Sequence, residues 1–487
     1  KNKMASDKTD EFENFIKQWN EKKLTKEEEI VKGIEKYNQD NAETFSFTAR
    51  YNTKTKEKFM GLLEALLVDG TGSDKLLAAS LFALKLCLRE RHGVSQLVQP
   101  SFIECLMKHA GLMGTSNTTL SQDQITQQEE AAKCLVNFCA KFRKTFIEHF
   151  IGLDGIAKVL EKIQDEKSHP LVLFPLGRLL SSLTASAEIG EQLLGEKLLA
   201  TISGFIARCV ETISDAQSRA NMMELMRVLL HITMPLGPLA SNHREPTDGE
   251  FEQFKVLVEL FQKLLALPRE KKYDAVRAQT VACLVNVPGR CTPLFHPENT
   301  LEALLYVLSV QVDEPGDPSA NLVHVLLVLT SIATAIPRAR PLIKKAIFPP
   351  SVLTPGAETA DGVHAPKEVA KSDSVASKLM PHMRSFETAL NHYANQFFFI
   401  VCDEDAKEVV RLTGLGNAAG LLAMKKLINP KQFMAPSQKA SGASSGASSG
   451  ASSGSSSTTP SAQELQDFGE RLANPTSTTA TDDNDTT

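Results

Sequence analysis

Apolar residues recur along this chain in short runs that end on polar positions, and two of these runs end identically. Cys134-Leu135-Val136-Asn137 returns as Cys283-Leu284-Val285-Asn286, each time after an Ala-containing apolar stretch. Related runs occupy residues 81–88, 173–184, 222–233, 321–334 and 392–402. Successive blocks stand roughly 40–55 residues apart, the period of armadillo or HEAT repeats. One such unit cannot bury its apolar face alone. The pattern therefore predicts an all-α, armadillo/HEAT-like helical-repeat solenoid with a disordered C-terminal tail. No segment sustains period-two alternation between hairpin turns, so no sheet is expected.

The solenoid is expected over residues 1–430. Its first 40 residues form charged helices on which Phe12, Phe15, Ile16 and Trp19 make one stripe. Three breaks read as surface loops between helices: residues 114–128, 235–249 and 349–374. After Pro430 the composition changes to Ala-Ser-Gly repeats, so residues 431–460 are expected to form a flexible linker. One amphipathic island follows at residues 461–473. Ser461 and Glu464 form a capping box behind Pro460, and Leu465, Phe468 and Leu472 share a face at i, i+3, i+7. A helix at the end of a tether commonly docks on a partner's groove, the bland alternative being a transient helix with no role. Residues 474–487 read as disordered tail.

Composition narrows the function. A net charge of −5 and a pI near 6.2 lack the basic surplus of a nucleic-acid binder. The Cys residues sit mostly inside apolar runs, without a Cys-x-x-Cys, which suits buried free thiols in a reducing cytosol. Neither a signal peptide nor an apolar run near the roughly 20 residues of a membrane span is visible. The expectation is a soluble, monomeric, cytoplasmic protein without membrane insertion and without a cofactor.

Candidate chemistry is sparse. Gly414-Leu415-Gly416-Asn417-Ala418-Ala419-Gly420 superficially resembles a dinucleotide loop, but the segment before it is helical in pattern and no strand precedes it. It reads instead as a Gly turn between two packed helices, with Gly416 and Gly420 permitting tight approach. Cys134 and Cys139 with His149 make a poor metal site, because thiols five apart on a helix diverge by about 140°. His231 and His324 lie in apolar blocks with no triad partner. Binding residues are easier to place. Asn137 and Asn286 hold equivalent positions and either line a groove or cap their own helix ends. Lys85 with Arg89, and Arg340 with Lys344, form basic i, i+4 pairs, each on one helix face and suited to an acidic or carboxylate-terminated peptide. The competing reading of each pair is solvated surface.

Thr413-Gly-Leu-Gly-Asn-Ala-Ala-Gly-Leu-Leu-Ala423 resembles the signature near the end of the folded core in synembryn proteins, the resistance-to-inhibitors-of-cholinesterase family. The run Glu130–Asn137, residues 223–233, 281–288, 326–350, and 377–387 followed by 397–402 agree with it in order. The resemblance covers about residues 45–428. It implies a non-receptor guanine-nucleotide exchange factor and folding chaperone for heterotrimeric G-protein α subunits. Family members hold the α subunit's C-terminal helix in the concave groove and stabilise the nucleotide-free state. That is conformational catalysis: no bond is made or broken, so the protein is not expected to be an enzyme in the chemical sense. Carried over, Lys85, Arg89, Asn137, Arg340 and Lys344 fall on groove positions, with Lys85 standing where the family has Arg. Leu465, Phe468 and Leu472 are the counterparts of a C-terminal helix that contacts the α subunit's nucleotide-binding side. Neutral Ser/Gly repeats replace the acidic, phosphorylatable stretch of animal members. The alternative function is an armadillo-type adaptor that binds an acidic peptide without exchange activity.

Overall fold

Heptad-free apolar runs punctuated by caps fold into consecutive short helices. The computed structural model describes residues 2–43, 51, 53–90, 93–114, 119–237, 243–295, 297–313, 319–353 and 364–427. Among these residues there are helices and turns and no strand. The chain clusters into two compact units, Lys1–Ile232 and Thr233–Thr487.

The first unit holds α1 (Asn2–Asn20), α2 (Glu27–Asn41), α3 (Thr53–Asp69), α4 (Asp74–Cys87), α5 (Pro100–His109) and α6 (Gln122–Lys141). It continues through α7 (Arg143–Gly152), α8 (Gly155–Gln164), α9 (Pro170–Thr184), α10 (Ala187–Leu193), α11 (Glu196–Glu211) and α12 (Ala216–Thr233). The core runs through α2, α4, α6 and α9, each packed on the next. α4 exposes almost nothing: Leu81, Ala83, Leu84 and Leu86 are fully buried. Of the N-terminal stripe, Phe12 and Ile16 are buried while Phe15 and Trp19 are half-buried. Phe12 sits among the rings of Tyr37, Tyr51 and Phe59, with centroids 4.8–5.0 Å away. Gly33 on α2 makes this approach possible, since a Cβ there would strike the Phe15 ring.

The second unit comprises α13 (Asp248–Leu265), α14 (Asp274–Leu284), α15 (Pro297–Asp313), α16 (Ser319–Ala335), α17 (Ala339–Ile347) and α18 (Pro350–Leu353). It ends with α19 (His364–Lys371), α20 (Val375–Leu379), α21 (Thr388–Val401), α22 (Ala406–Thr413) and α23 (Leu415–Met424). α16 packs against α14, α15 and α21, and buries Leu322, Val325, Leu326 and Leu329 against the Phe397 and Phe398 side of the core.

All three expected loops are shorter than their composition indicated, and α13 begins at Asp248, inside residues 235–249. α6 begins at Gln122, inside residues 114–128, because Ser121 and Gln124 close a full capping box. α18 and α19 lie within residues 349–374, and Val369 of α19 is fully buried. Helices of four and eight residues are too short to display a period.

Candidate partner-binding surfaces

The repeated Cys-Leu-Val-Asn has a structural job that explains its recurrence. Asn137, in the middle of the last turns of α6, donates from Nδ2 to the carbonyl of Lys85 at 3.5 Å, 52 residues back. Asn286 donates from Nδ2 to Thr233 Oγ1 at 3.3 Å, 53 residues back. Each Asn therefore reaches the end of the preceding core helix. Asn286 is also 5% exposed, so its side chain is turned into the protein and not toward a groove.

Other polar residues form rungs of the same length. Cys134 Sγ donates to Leu81 O at 3.3 Å, and Asn221 donates to Pro170 O at 3.0 Å. His231 Nδ1 lies 3.1 Å from Ser181 O and 3.2 Å from Thr184 Oγ1. A carbonyl only accepts, so Nδ1 carries the proton.

In the first unit, Lys85 projects from the last turn of α4. Its ammonium lies 3.8 Å from the Phe82 ring centre and 2.5 Å from Glu130 Oε2 on α6. Glu130 is buried and also meets Lys133 at 2.7 Å. Arg89 does not share the Lys85 face, because α4 ends at Cys87. It turns back to donate to the carbonyls of Asn41 and Ala42, at 3.4 and 2.9 Å. A cation there complements the negative C-terminal end of α2.

In the second unit, Arg340 and Lys344 do share one face of α17. Arg340 Nε donates to Ala333 O at 2.9 Å, and its terminal nitrogens lie 3.4 Å from Asp403 and 3.6 Å from Glu404. Both acids hold left-handed backbones, φ 57° and 62°, a conformation that costs a non-glycine residue of order 1–2 kcal/mol. Lys344 pairs with Glu408, whose carboxylate also accepts from Arg411 at 2.6 and 2.9 Å. Arg411, with Lys344 second, holds the Glu408 carboxyl down to about 2.

Lys85, Arg340 and Lys344 thus rest against carboxylates of the same protein. The sequence does not show that Glu130, Asp403, Glu404 and Glu408 meet these bases. They lie 45 to 64 positions from the bases they meet, and Glu130 and Glu408 alone of the four carry a local hint, Lys133 and Arg411 at i, i+3. Leu465, Phe468 and Leu472, with the linker before them, lie outside the described residues.

No reactive constellation accompanies these surfaces. Among the described residues no cluster of His, Cys, Asp and Glu could hold a metal ion. The thiols are free, and burial pushes them up, Cys283 and Cys402 to about 12. No single helix among the described residues is long and apolar enough to cross a membrane. Gly414, at φ 83°, makes the turn expected between α22 and α23, but among the described residues Gly416 and Gly420 are not packed against a neighbour.

A family model described as guanine nucleotide exchange factor synembryn matches residues 80–467. Curated relatives agree. The chain is 24% identical over 441 residues to the chaperone Ric-8A of Xenopus tropicalis, covering 82% of this chain and 78% of that protein. The chaperone Ric-8A of Gallus gallus is 24% identical over 442 residues, covering 82% and 77% respectively. That of Danio rerio is 21% identical over 436 residues, covering 81% and 76%.

Proposed function

The chain belongs to the Ric8 family, that of the guanine nucleotide exchange factor synembryn, and on that premise we propose that it chaperones heterotrimeric G-protein α subunits and promotes their nucleotide exchange. The observation that carries this reading is the extent of the family match. It runs from α4 through α23, across Lys85, Arg89, Asn137, Arg340 and Lys344, and on to Leu465.

On this reading Lys85, Arg89, Asn137, Arg340 and Lys344 are the positions that meet the α subunit. Lys85, Arg340 and Lys344 already face carboxylates, so an incoming carboxylate has to compete with the internal ones, of which Glu130 and Glu408 keep Lys133 and Arg411 as second partners. Asn286 contributes by holding its repeat in place. Leu465, Phe468 and Leu472 contact the nucleotide-binding side. A protein that binds the nucleotide-free conformation better than the GDP-bound one shifts the population toward it by that difference alone. It works as a monomer, in the cytoplasm near the cell cortex, which imaging of a tagged chain tests.

GDP release from purified Gα tests the activity, with the intact chain and with one ending at Pro430. Faster release with the intact chain, reduced by the truncation, is expected. Unchanged release despite tight binding would sink the exchange activity and leave an adaptor for an acidic peptide.

A further inference from the structure

α23 carries two glycines that nothing in its surroundings requires. Gly416 and Gly420 have ordinary helical φ, and a Cβ on either would meet no atom within 4 Å among the described residues. Each glycine costs a helix about 0.5–1 kcal/mol relative to alanine. In a ten-residue helix that is a substantial loss, and no contact among the described residues offsets it.

The face on which they lie is apolar throughout. At 100° per residue, Gly416, Ala419, Gly420 and Ala423 share one side of the helix. Ala418, Leu421 and Leu422, on the opposite side, are buried. Leu415 and Met424, each 39% exposed, rim the bare face on its two edges, and Leu427, 49% exposed, follows at its end. Asn417 is the only polar side chain in α23. A floor without side chains between aliphatic rims lets a second helix approach closely, because interaxial distance is set by the residues at the contact.

The sequence supplies an occupant. The last described residue, Leu427, stands at the end of this face, and the chain continues from it into residues 428–460. A Gly/Ser-rich tether of roughly 30 residues has a root-mean-square span of about 30 Å, twice the length of α23, which places its far end at an effective concentration in the millimolar range. That far end is the capped stripe Leu465, Phe468, Leu472, which has apolar groups to bury and, by sequence, no core of its own. Charge agrees: Glu464, Asp467 and Glu470 outnumber Arg471 in the segment, whereas Lys425 and Lys426 are exposed beside the face.

We propose that residues 461–472 dock as a helix on the Gly416/Gly420 face of α23 in the same molecule. The docking does not depend on the Gα reading. If both hold, the segment assigned to the α subunit is parked on α23 until that subunit arrives.

Hydrogen exchange on the full chain tests the proposal. The amides of residues 461–472 should exchange about tenfold or more slowly than in a synthetic peptide of the same sequence. Gly416→Arg with Gly420→Arg should return them to the peptide's rate. The thermal midpoint should hold or rise, since both side chains enter open space. Phe468→Asp should have the same effect from the other side. Peptide-like exchange in the intact chain would overturn the proposal, as would protection that survives the double glycine variant. Protection that grows with protein concentration would also overturn it, assigning the face to a second copy. None of these readouts involves Gα, so failure here leaves the exchange assay to stand or fall separately.

Discussion

His324 on α16 shows how a single buried side chain sets the response to pH. It is 6% exposed, its Nδ1 meets no hydrogen-bond partner among the described residues, and burial lowers it to about 4. Between pH 6.5 and about 4 the unfolded chain takes up a proton there that the folded chain refuses, so stability falls as pH drops through that window. His324→Leu removes both the titration and the unpaired nitrogen. Urea melts should show it more stable than the parent by about 1–3 kcal/mol at pH 5, with a smaller gain at pH 7.5. Glu408 titrates at a lower window. Its carboxyl is depressed from 4.5 to about 2, so its contribution is complete above pH 4.5 and disappears toward pH 2. Lys344→Met leaves Arg411 as the remaining partner, so the Glu408 titration followed by NMR should move upward and acid unfolding should begin at higher pH. The sequence showed Lys344 and Arg340 as a pair but hid the carboxylates against them. Spacing within one helix is legible; the register of α17 against α22 is decided by packing.

At the scale of the element, two helix starts have local causes that lie inside the loops expected over residues 114–128 and 235–249. Ser121 and Thr247 each close a capping box, and Pro100 and Pro170 occupy the first turns of α5 and α9. Ser121→Ala and Thr247→Ala should each lower stability by about 1 kcal/mol in denaturant melts, with the slope of the transition unchanged. α18 and α19 were missed because Pro, Gly and charge dominate the stretch that contains them, and Val369 alone does not make a stripe. The recurring Asn is visible as a repeat, but the carbonyl or hydroxyl it reaches one repeat back is not, because no pattern along the chain displays that atom. The two are unequal. Asn286 is buried and its bond is 3.3 Å, whereas Asn137 is half-exposed and its bond 3.5 Å. Asn286→Ala should therefore cost about 1–3 kcal/mol and Asn137→Ala less than 1, as calorimetry of the two variants would show.

The whole molecule inherits its order from the rungs between repeats. Tyr37 meets Cys87, Cys134 meets Leu81, Asn137 meets Lys85, Asn221 meets Pro170, His231 meets Ser181 and Asn286 meets Thr233, all at separations of 50 to 53 residues. Every one of these bonds looks backward along the chain. A ribosome making about 5–20 residues per second supplies a complete rung every few seconds, and each new helix finds its template already made. Synthesis itself should then assemble the protein in order, with nothing waiting on the C-terminus. Stalled nascent chains of increasing length should gain protease resistance in steps of one repeat, and a single late step would show that the repeats wait for one another.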